Sequence, residues 1–144
     1  MAKFTNPEAF QFEAAAILAA GYEWFRMHFD WPLDADNENY PTENGQSRAD
    51  VQRETVSWLT EHGYLTTFGL TGTTEGQLIG ARWSYVQLTE RALVALNAVP
   101  DVLQGKEPLG KRLISAVKAN SFEAIRALVP IAIRYAFGGD STPG

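Results

Sequence analysis

The chain has 144 residues, of which 45% are hydrophobic and 12% aromatic, and it carries a formal net charge of −5 at pH 7. This length fits a single domain, and this apolar content excludes a chain that is disordered along its whole length. The lack of cysteine excludes disulfide frameworks and thiolate metal sites, and no apolar run approaches the roughly 18 residues that a membrane span needs.

The first predicted element is a helix over about residues 7–29. Asn6, Pro7 and Glu8 supply a capping side chain, a proline at the first helical position and an acid near the positive end of the helix dipole. We expect the helix to end before Trp31, because a residue that precedes proline avoids helical backbone angles. The residues before the helix lack the cationic and then apolar pattern of a signal peptide, so we expect a cytoplasmic protein. The apolar face of this helix is predicted to be Phe10, Ala14, Ile17, Leu18, Gly21, Phe25, His28 and Phe29.

Residues 30–47 are polar and contain two prolines and a glycine, which predicts a loop. A loop of this length suggests a functional role or local mobility. Its acids do not match a calcium-binding EF-hand loop, which requires glycine at the sixth position and glutamate at the twelfth. We therefore predict a solvated acidic loop, with an acidic patch for a protein partner as the alternative. The acids of that patch are Asp34, Asp36, Glu38 and Glu43.

A second helix is predicted to begin after Ser47, where Asp50, three residues on, completes a variant of the capping box. Gly63 is the natural end of this helix. Its buried stripe is predicted to be Val51, Thr55, Trp58, Leu59 and His62. Its opposite face presents Arg53, Ser57 and Thr60, flanked by Asp50, Glu54 and Glu61.

A β-hairpin is predicted to follow the second helix. Residues 64–68 and 81–88 are β-prone, and the stretch between them, 69–80, is rich in glycine, which predicts a long flexible tip. The glycine spacing fits neither a Walker A loop nor a dinucleotide-binding fingerprint. Thr89 is then predicted to cap a third helix, which stops before Pro100.

Two more amphipathic helices are predicted, one over about residues 108–119 and one that begins after a cap at Ser121. Pro130 is expected to kink the last helix. Its apolar stripe is either part of the core or a dimer interface. We expect one domain over residues 1–137 and a flexible tail over 138–144. The stripe consists of Phe122, Ile125, Leu128, Val129, Ala132, Ile133 and Ala136.

Two short motifs flank the predicted hairpin. The segment 59–65, LTEHGYL, ends a helix on glycine and turns into a strand, and the segment 88–92, LTERA, ends a strand and starts a helix. In these motifs the chain resembles winged-helix proteins, especially MarR-like and PadR-like bacterial regulators, although alanine stands where those families usually have glycine. The segments NAVP (97–100) and LGKR (109–112) are similar to parts of uncharacterised small proteins of bacteria and mobile elements, a similarity that implies no activity.

The resemblance, which covers about 50 of the residues, implies a mainly α fold with a small β-wing. Residues 48–99 would form a winged helix-turn-helix core, joined to the N-terminal helix and to a C-terminal helical extension over residues 108–137. It also implies a transcriptional regulator that binds double-stranded DNA, as a homodimer through the C-terminal helices. The helix over 48–62 would enter the major groove, and the wing would follow the DNA backbone or minor groove. The DNA-contacting residues would then be Arg48, Gln52, Arg53, Ser57, Thr60 and Arg82.

The charge pattern favours a different interpretation. The first 47 residues carry two basic and eight acidic side chains, and the helix–wing unit has only three arginines for phosphate contacts. The alternative is a protein-interaction module, such as an inhibitor, immunity or adaptor protein, that uses the acidic segment 30–43 as its contact surface. His28 and His62 lie on predicted apolar faces without a partner at ligand spacing, so we expect no enzyme activity, no metal and no cofactor.

Overall fold

The computed structural model describes residues 4–35, 42–72, 80–101, 103 and 105–136. In this part of the chain, five helices accompany a small antiparallel sheet, so the predicted mainly α fold with a small β-component is confirmed. The elements are α1 (Asn6–Glu23), β1 (Phe29–Pro32), α2 (Arg48–Glu61), β2 (Leu65–Thr66), β3 (Gly69–Thr71), β4 (Arg82–Leu88), α3 (Glu90–Asn97), α4 (Leu109–Lys118) and α5 (Phe122–Ala136). None of these helices combines the length and the apolar character needed to cross a membrane.

The first helix begins close to the predicted residue but ends six residues earlier than predicted. Its cap is Thr5 rather than Asn6: the Thr5 hydroxyl accepts a hydrogen bond from the Glu8 backbone N–H at 3.3 Å, and the Glu8 carboxylate accepts one from the Thr5 N–H at 2.9 Å. The helix ends at Glu23, so the prediction of a helix to residue 29 is wrong. The reason is that Phe29 and Trp31 alternate toward one side of an extended strand, β1, and pairing of this strand with β4 outweighs the helical spacing of Phe29 with Phe25.

The other predicted helix starts agree with the structure. The Ser47 hydroxyl accepts from the Asp50 N–H at 3.1 Å in a capping box, and Thr89 accepts from the Ala92 N–H at 3.1 Å. Gly63 follows the cap of α2 with φ of +81°, a left-handed conformation that favours glycine. These local signals place α2 and the hairpin next to one another without help from distant residues.

Strand β4 is the centre of the sheet. It pairs with β1 on one side and with β2 and β3 on the other, always antiparallel. Between the pairs Phe29–Val86 and Trp31–Trp83 the register shifts, because β4 has one extra residue there. Tyr85 lies in this bulge and has φ of +53°, an uncommon value for an aromatic residue. The bulge turns the Tyr85 side chain away from the core.

One face of the sheet packs against the helices and forms the core. Trp83, Val86 and Leu88 are buried on that face, and Gly21 of α1 approaches so closely that an added Cβ would lie 2.8 Å from Leu88 Cγ. The apolar stripe of α5 also packs inside, against α1, α3 and α4. Of the two alternatives for this stripe, the structure therefore places it mainly in the core. Its buried members are Ile125, Leu128, Val129 and Ala132.

A single aromatic side chain joins three of the helices. The Tyr22 hydroxyl of α1 donates a hydrogen bond to Asn97 Oδ1 at the end of α3, at 2.7 Å. The Tyr22 ring also lies against Gly110 of α4, where an added Cβ would come within 2.5 Å of the ring carbons. Since any side chain at position 110 would displace this ring, the position of α4 is fixed by its contact with α1.

Candidate functional site

Arg48 belongs to an internal charge network rather than to an open surface. Its guanidinium donates from Nε to Glu13 Oε2 at 2.9 Å and from Nη2 to Glu13 Oε1 at 3.3 Å, while Nη1 donates to Asp34 Oδ2 at 3.2 Å. Glu13 is only 2% exposed. Burial lowers the pKa of Arg48, but the hydrogen bonds and charges of Glu13 and Asp34 outweigh it and hold the pKa above its ordinary value. The network joins α1, α2 and the segment after β1.

Gln52, one helical turn further along α2, is also engaged inside the protein. Its side-chain amide oxygen accepts from the Asp34 backbone N–H at 2.7 Å, and Nε2 donates to the Pro32 carbonyl at 3.1 Å. The side chain is 2% exposed. To contact DNA, Arg48 and Gln52 would first have to break these bonds, so their placement counts against the DNA-contacting role predicted for them.

The outer face of α2 carries the other three predicted contacts on that helix. Arg53 is exposed and forms an ion pair with Asp50 at 2.9 Å. Arg53, and after it Ser47, lower the pKa of the Asp50 carboxyl by hydrogen bonding to its charged form. Ser57 is exposed, and the hydroxyl of the exposed Thr60 donates to the Val56 carbonyl at 2.7 Å. Together with Glu54 and Glu61, this face has one arginine among three carboxylates.

The predicted wing contact, Arg82, lies at the start of β4. Its Nε donates to Asp30 Oδ2 of β1 at 3.2 Å, and Nη1 donates to the Gly80 carbonyl at 3.3 Å. Both charged side chains are about half exposed. The wing tip itself, residues 73–79, lies outside the described residues. Arg82 is the one residue of the wing for which the sequence predicted a DNA contact, and its charge is paired with that of Asp30 on β1.

The predicted acidic patch is not assembled by the part of the chain that the structure describes. Asp34 points toward Arg48 and takes part in the internal network. Glu43 is exposed, and its backbone N–H donates to the Phe4 carbonyl at 2.9 Å. Asp36 and Glu38 lie outside the described residues. Among the four acids, one therefore has a structural role and one faces solvent.

Each of the two histidines lies against an aromatic ring. His28 is exposed, which differs from its predicted place on an apolar helix face, and its ring lies 4.0 Å from that of Tyr85. His62 is partly buried and stacks on Trp58, also at 4.0 Å, with Nδ1 2.9 Å from the Trp58 carbonyl oxygen. Among the described residues, no three His, Cys, Asp or Glu side chains are grouped so that they could hold a metal ion.

The outer face of the sheet carries a feature that the sequence did not indicate, a row of three rings in contact that we call the sheet stack: His28, Tyr85 and Phe68. The His28 ring is tilted by 40° to the Tyr85 ring. The Tyr85 and Phe68 rings are 4.5 Å apart and nearly parallel, at 18°. Phe68 is 78% exposed and Tyr85 47% exposed. The three rings come from three chain segments: His28 precedes β1, Tyr85 belongs to β4, and Phe68 lies between β2 and β3. The row therefore crosses the sheet, and its side chains are exposed to solvent.

The sheet stack is held in place by its backbone. Both the Phe68 N–H, at 2.9 Å, and the Thr67 hydroxyl, at 2.6 Å, donate to the Ser84 carbonyl of β4. Tyr85 faces outward only because of the bulge, since strict alternation after the buried Trp83 would turn it inward. No residue near Tyr85 signals that bulge, which explains why the sequence reading missed it.

Comparison of the chain with protein-family models, with curated proteins and with solved structures gives no match. Its function therefore has to be argued from the two surfaces described above, the outer face of α2 and the sheet stack.

Proposed function

We propose that this chain is a protein-binding module of winged-helix form, and that its contact surface is centred on the sheet stack of His28, Tyr85 and Phe68. The observation that carries the proposal is an exposed, contiguous row of rings, one of which is held in a left-handed backbone conformation. A single exposed apolar residue is ordinary, whereas a contiguous exposed patch marks an interaction site. Backbone conformations of this kind also concentrate at functional sites.

The composition of the sheet stack suits a protein partner. Aromatic side chains contribute large contact areas at low cost in side-chain entropy and account for many of the residues that dominate interface energies. Met27, directly before His28 in the sequence, is a further large apolar side chain that is 60% exposed. Thr66 and Thr71 on the neighbouring edge are exposed and offer hydroxyls for a polar rim. The expected partner surface has an apolar or aromatic side chain at its centre and hydrogen-bonding groups around it.

Net charge adds a second property of the partner. The chain carries a net charge of −5, and its first 47 residues alone carry −6, so a partner with a basic surface would associate faster than a neutral one. This is the part of the acidic-module interpretation that we retain. The contact surface, however, moves from the acidic segment 30–43 to the sheet stack, because Asp34 is already bound to Arg48.

The winged-helix form is supported by the order of the elements. Helix α2 leads through Gly63 directly into a hairpin of β2, β3 and β4, and β4 leads through the Thr89 cap into α3. Strand β1 covers the other side of β4. The helix before α2 that a helix-turn-helix requires is not present among the described residues between β1 and α2. We therefore propose the winged-helix form for α2 and the hairpin only.

The test is photo-crosslinking from position 68 in the native host, followed by affinity measurement. A photoreactive phenylalanine analogue at Phe68 is expected to crosslink one protein, and the same analogue at Val94, which is 68% exposed on α3, is not. With that partner purified, Phe68→Ser should weaken binding at least tenfold, as loss of an interface hot spot does, while Val94→Ser should leave it unchanged. Crosslinking to the same partner from both positions, or no loss of affinity in Phe68→Ser, would overturn the proposal.

DNA binding is the second candidate. Arg53 and Arg82 favour it, because both are exposed on the helix and wing that would contact DNA, and surface ion pairs such as theirs are weak enough to exchange for phosphates. A dimer would double these contacts, but four residues of the α5 stripe are used in the core, so the dimer contact would have to be elsewhere.

The DNA test is fluorescence anisotropy with mixed-sequence duplex at low and moderate salt. Binding that weakens steeply with salt, and that Arg53→Ala and Arg82→Ala reduce, would support a DNA-binding regulator. Arg134→Ala, at an exposed position of α5, is the matched control. Absence of binding at low salt would remove this candidate and leave the protein-binding proposal untouched.

A further inference from the structure

A groove of about 320 Å³ lies between α1 and α2, away from the sheet stack. Its size is at the lower end of the range for small-molecule sites. Ala9 and Val51 line it and form a small buried cluster of their own, which gives the groove an apolar floor. Nothing in the fold described above requires this concave shape, so the groove is a candidate for a ligand.

Two aromatic rings form a corner in this groove. The centroids of Phe10 and Trp58 are 5.2 Å apart and the ring planes meet at 78°. The Trp58 ring is fixed by stacking on His62 at 4.0 Å and on Tyr64 at 5.6 Å. Two walls at nearly a right angle, one of them immobilised by its neighbours, resemble half of the aromatic cages that bind ammonium groups.

The polar lining of the groove is rich in acceptors. Glu54 lines it with an exposed carboxylate that forms no ion pair among the described residues. Arg53, the next residue in the chain, is engaged by Asp50. Asn6 and Gln46 contribute side-chain amides, and the lining includes no lysine or arginine. A carboxylate that lines the same groove as two aromatic rings, with no lysine or arginine among the described lining residues, attracts a positive charge.

We propose that this groove binds a small organic cation, an ammonium or quaternary ammonium group on a short apolar body. The charged group sits in the corner of Phe10 and Trp58 with Glu54 beside it, and the apolar body lies on Ala9 and Val51. The negative charge of the whole chain favours the same class of ligand. This site is independent of the proposed partner surface, because it shares no residue with the sheet stack.

The test uses choline as the probe and 3,3-dimethyl-1-butanol, its uncharged isostere, as the matched ligand. Both are titrated into the isotopically labelled full chain at constant ionic strength, and the indole N–H signal of Trp58, assigned with Trp58→Phe, is followed by NMR. We expect a saturable shift with choline in the millimolar range and at least tenfold weaker binding of the neutral isostere. Glu54→Gln should weaken choline binding threefold or more.

The control variant is Glu61→Gln, which removes an exposed carboxylate from the same helix but outside the groove. It should bind choline like the parent chain. Equal shifts with both ligands, a choline shift that does not saturate, or equal affinity in Glu54→Gln and the parent would each overturn the proposal. Because both substitutions are at exposed positions, an unchanged amide spectrum will verify that the variants are folded.

Discussion

The inner and outer sides of α2 both carry polar side chains, but those on the inner side bond to other parts of the protein and those on the outer side face solvent. Arg48 and Gln52 face α1 and the segment after β1, where every hydrogen bond described for their side chains goes to another part of the protein. Arg53 lies on the outer side and pairs with Asp50 of its own helix. Two arginines five residues apart thus serve stability in one case and surface charge in the other. The residue type alone does not predict these two roles. They depend on whether another segment of the chain packs against that side of the helix.

The largest expected effect is the loss of Arg48. Arg48→Met removes the positive charge that faces the buried Glu13 carboxylate, so we expect the free energy of unfolding to fall by about 3 kcal/mol, the lower end for breaking a buried ion pair. Chemical denaturation measures this. Adding Glu13→Gln to Arg48→Met should restore part of the loss, because it removes the buried negative charge. A loss no greater than that of Arg53→Met would show that the network is not a structural element.

Loss of Gln52 should have a smaller effect. Gln52→Ala leaves the Asp34 N–H and the Pro32 carbonyl without the partner that joins them to α2, and we expect a cost of about 2 kcal/mol in unfolding free energy. Gln11→Ala, on α1 and only partly buried, is the matched control and should change stability little. If the two variants unfold at the same denaturant concentration, the hydrogen bonds of Gln52 do not contribute to the stability of the fold.

Acid should weaken the capped helix ends before it affects the core packing. Hydrogen bonding by the Thr5 backbone, and then by Arg126, lowers the pKa of Glu8, and Arg53 and Ser47 lower that of Asp50. A lowered folded-state pKa gives stability that is complete above the ordinary carboxylate pKa and is lost as the pH falls through the lowered value. We therefore expect the denaturant concentration at the midpoint of unfolding to decrease as the pH is lowered from about 5 to about 2. Glu8→Gln and Asp50→Asn should each flatten this dependence; parallel curves would contradict it.

The smallest effect is expected on the outer side. Arg53→Ala and Ser57→Ala should each change the free energy of unfolding by less than about 0.5 kcal/mol, because exposed ion pairs and surface hydroxyls contribute little. Thermal unfolding at low and high salt checks this. A marked, salt-dependent loss in Arg53→Ala would mean that the outer face, too, is part of the folded structure's charge balance.

Local signals in the sequence predicted much of the fold. Ser47, Gly63 and Thr89 act on the few residues next to them, so α2, the hairpin and the start of α3 could be placed from the sequence. Strand β1 could not, because Phe29 fits a helical spacing with Phe25 as well as an alternating one with Trp31, and only pairing with β4 selects between them.

The candidate surfaces were harder to predict for the same reason. Arg48 and Arg53 are the same residue type on the same helix, but the contact of Arg48 with Glu13 joins residues 35 positions apart, which no short segment of sequence shows. The sheet stack depends on the bulge at Tyr85 and on pairing across three chain segments. Such features arise from tertiary register, which no short motif encodes.

The contact of Tyr22 with Gly110 and Asn97 has a consequence for engineering. Since this ring sets the position of α4, the length of the connection from Ala98 to Pro108 is not needed to fix the distance between α3 and α4. Doubling the length of a connection costs only about 0.6 kcal/mol in closure entropy. This connection is therefore the place to insert an epitope or a fluorescent reporter while both the sheet stack and the groove stay unmodified.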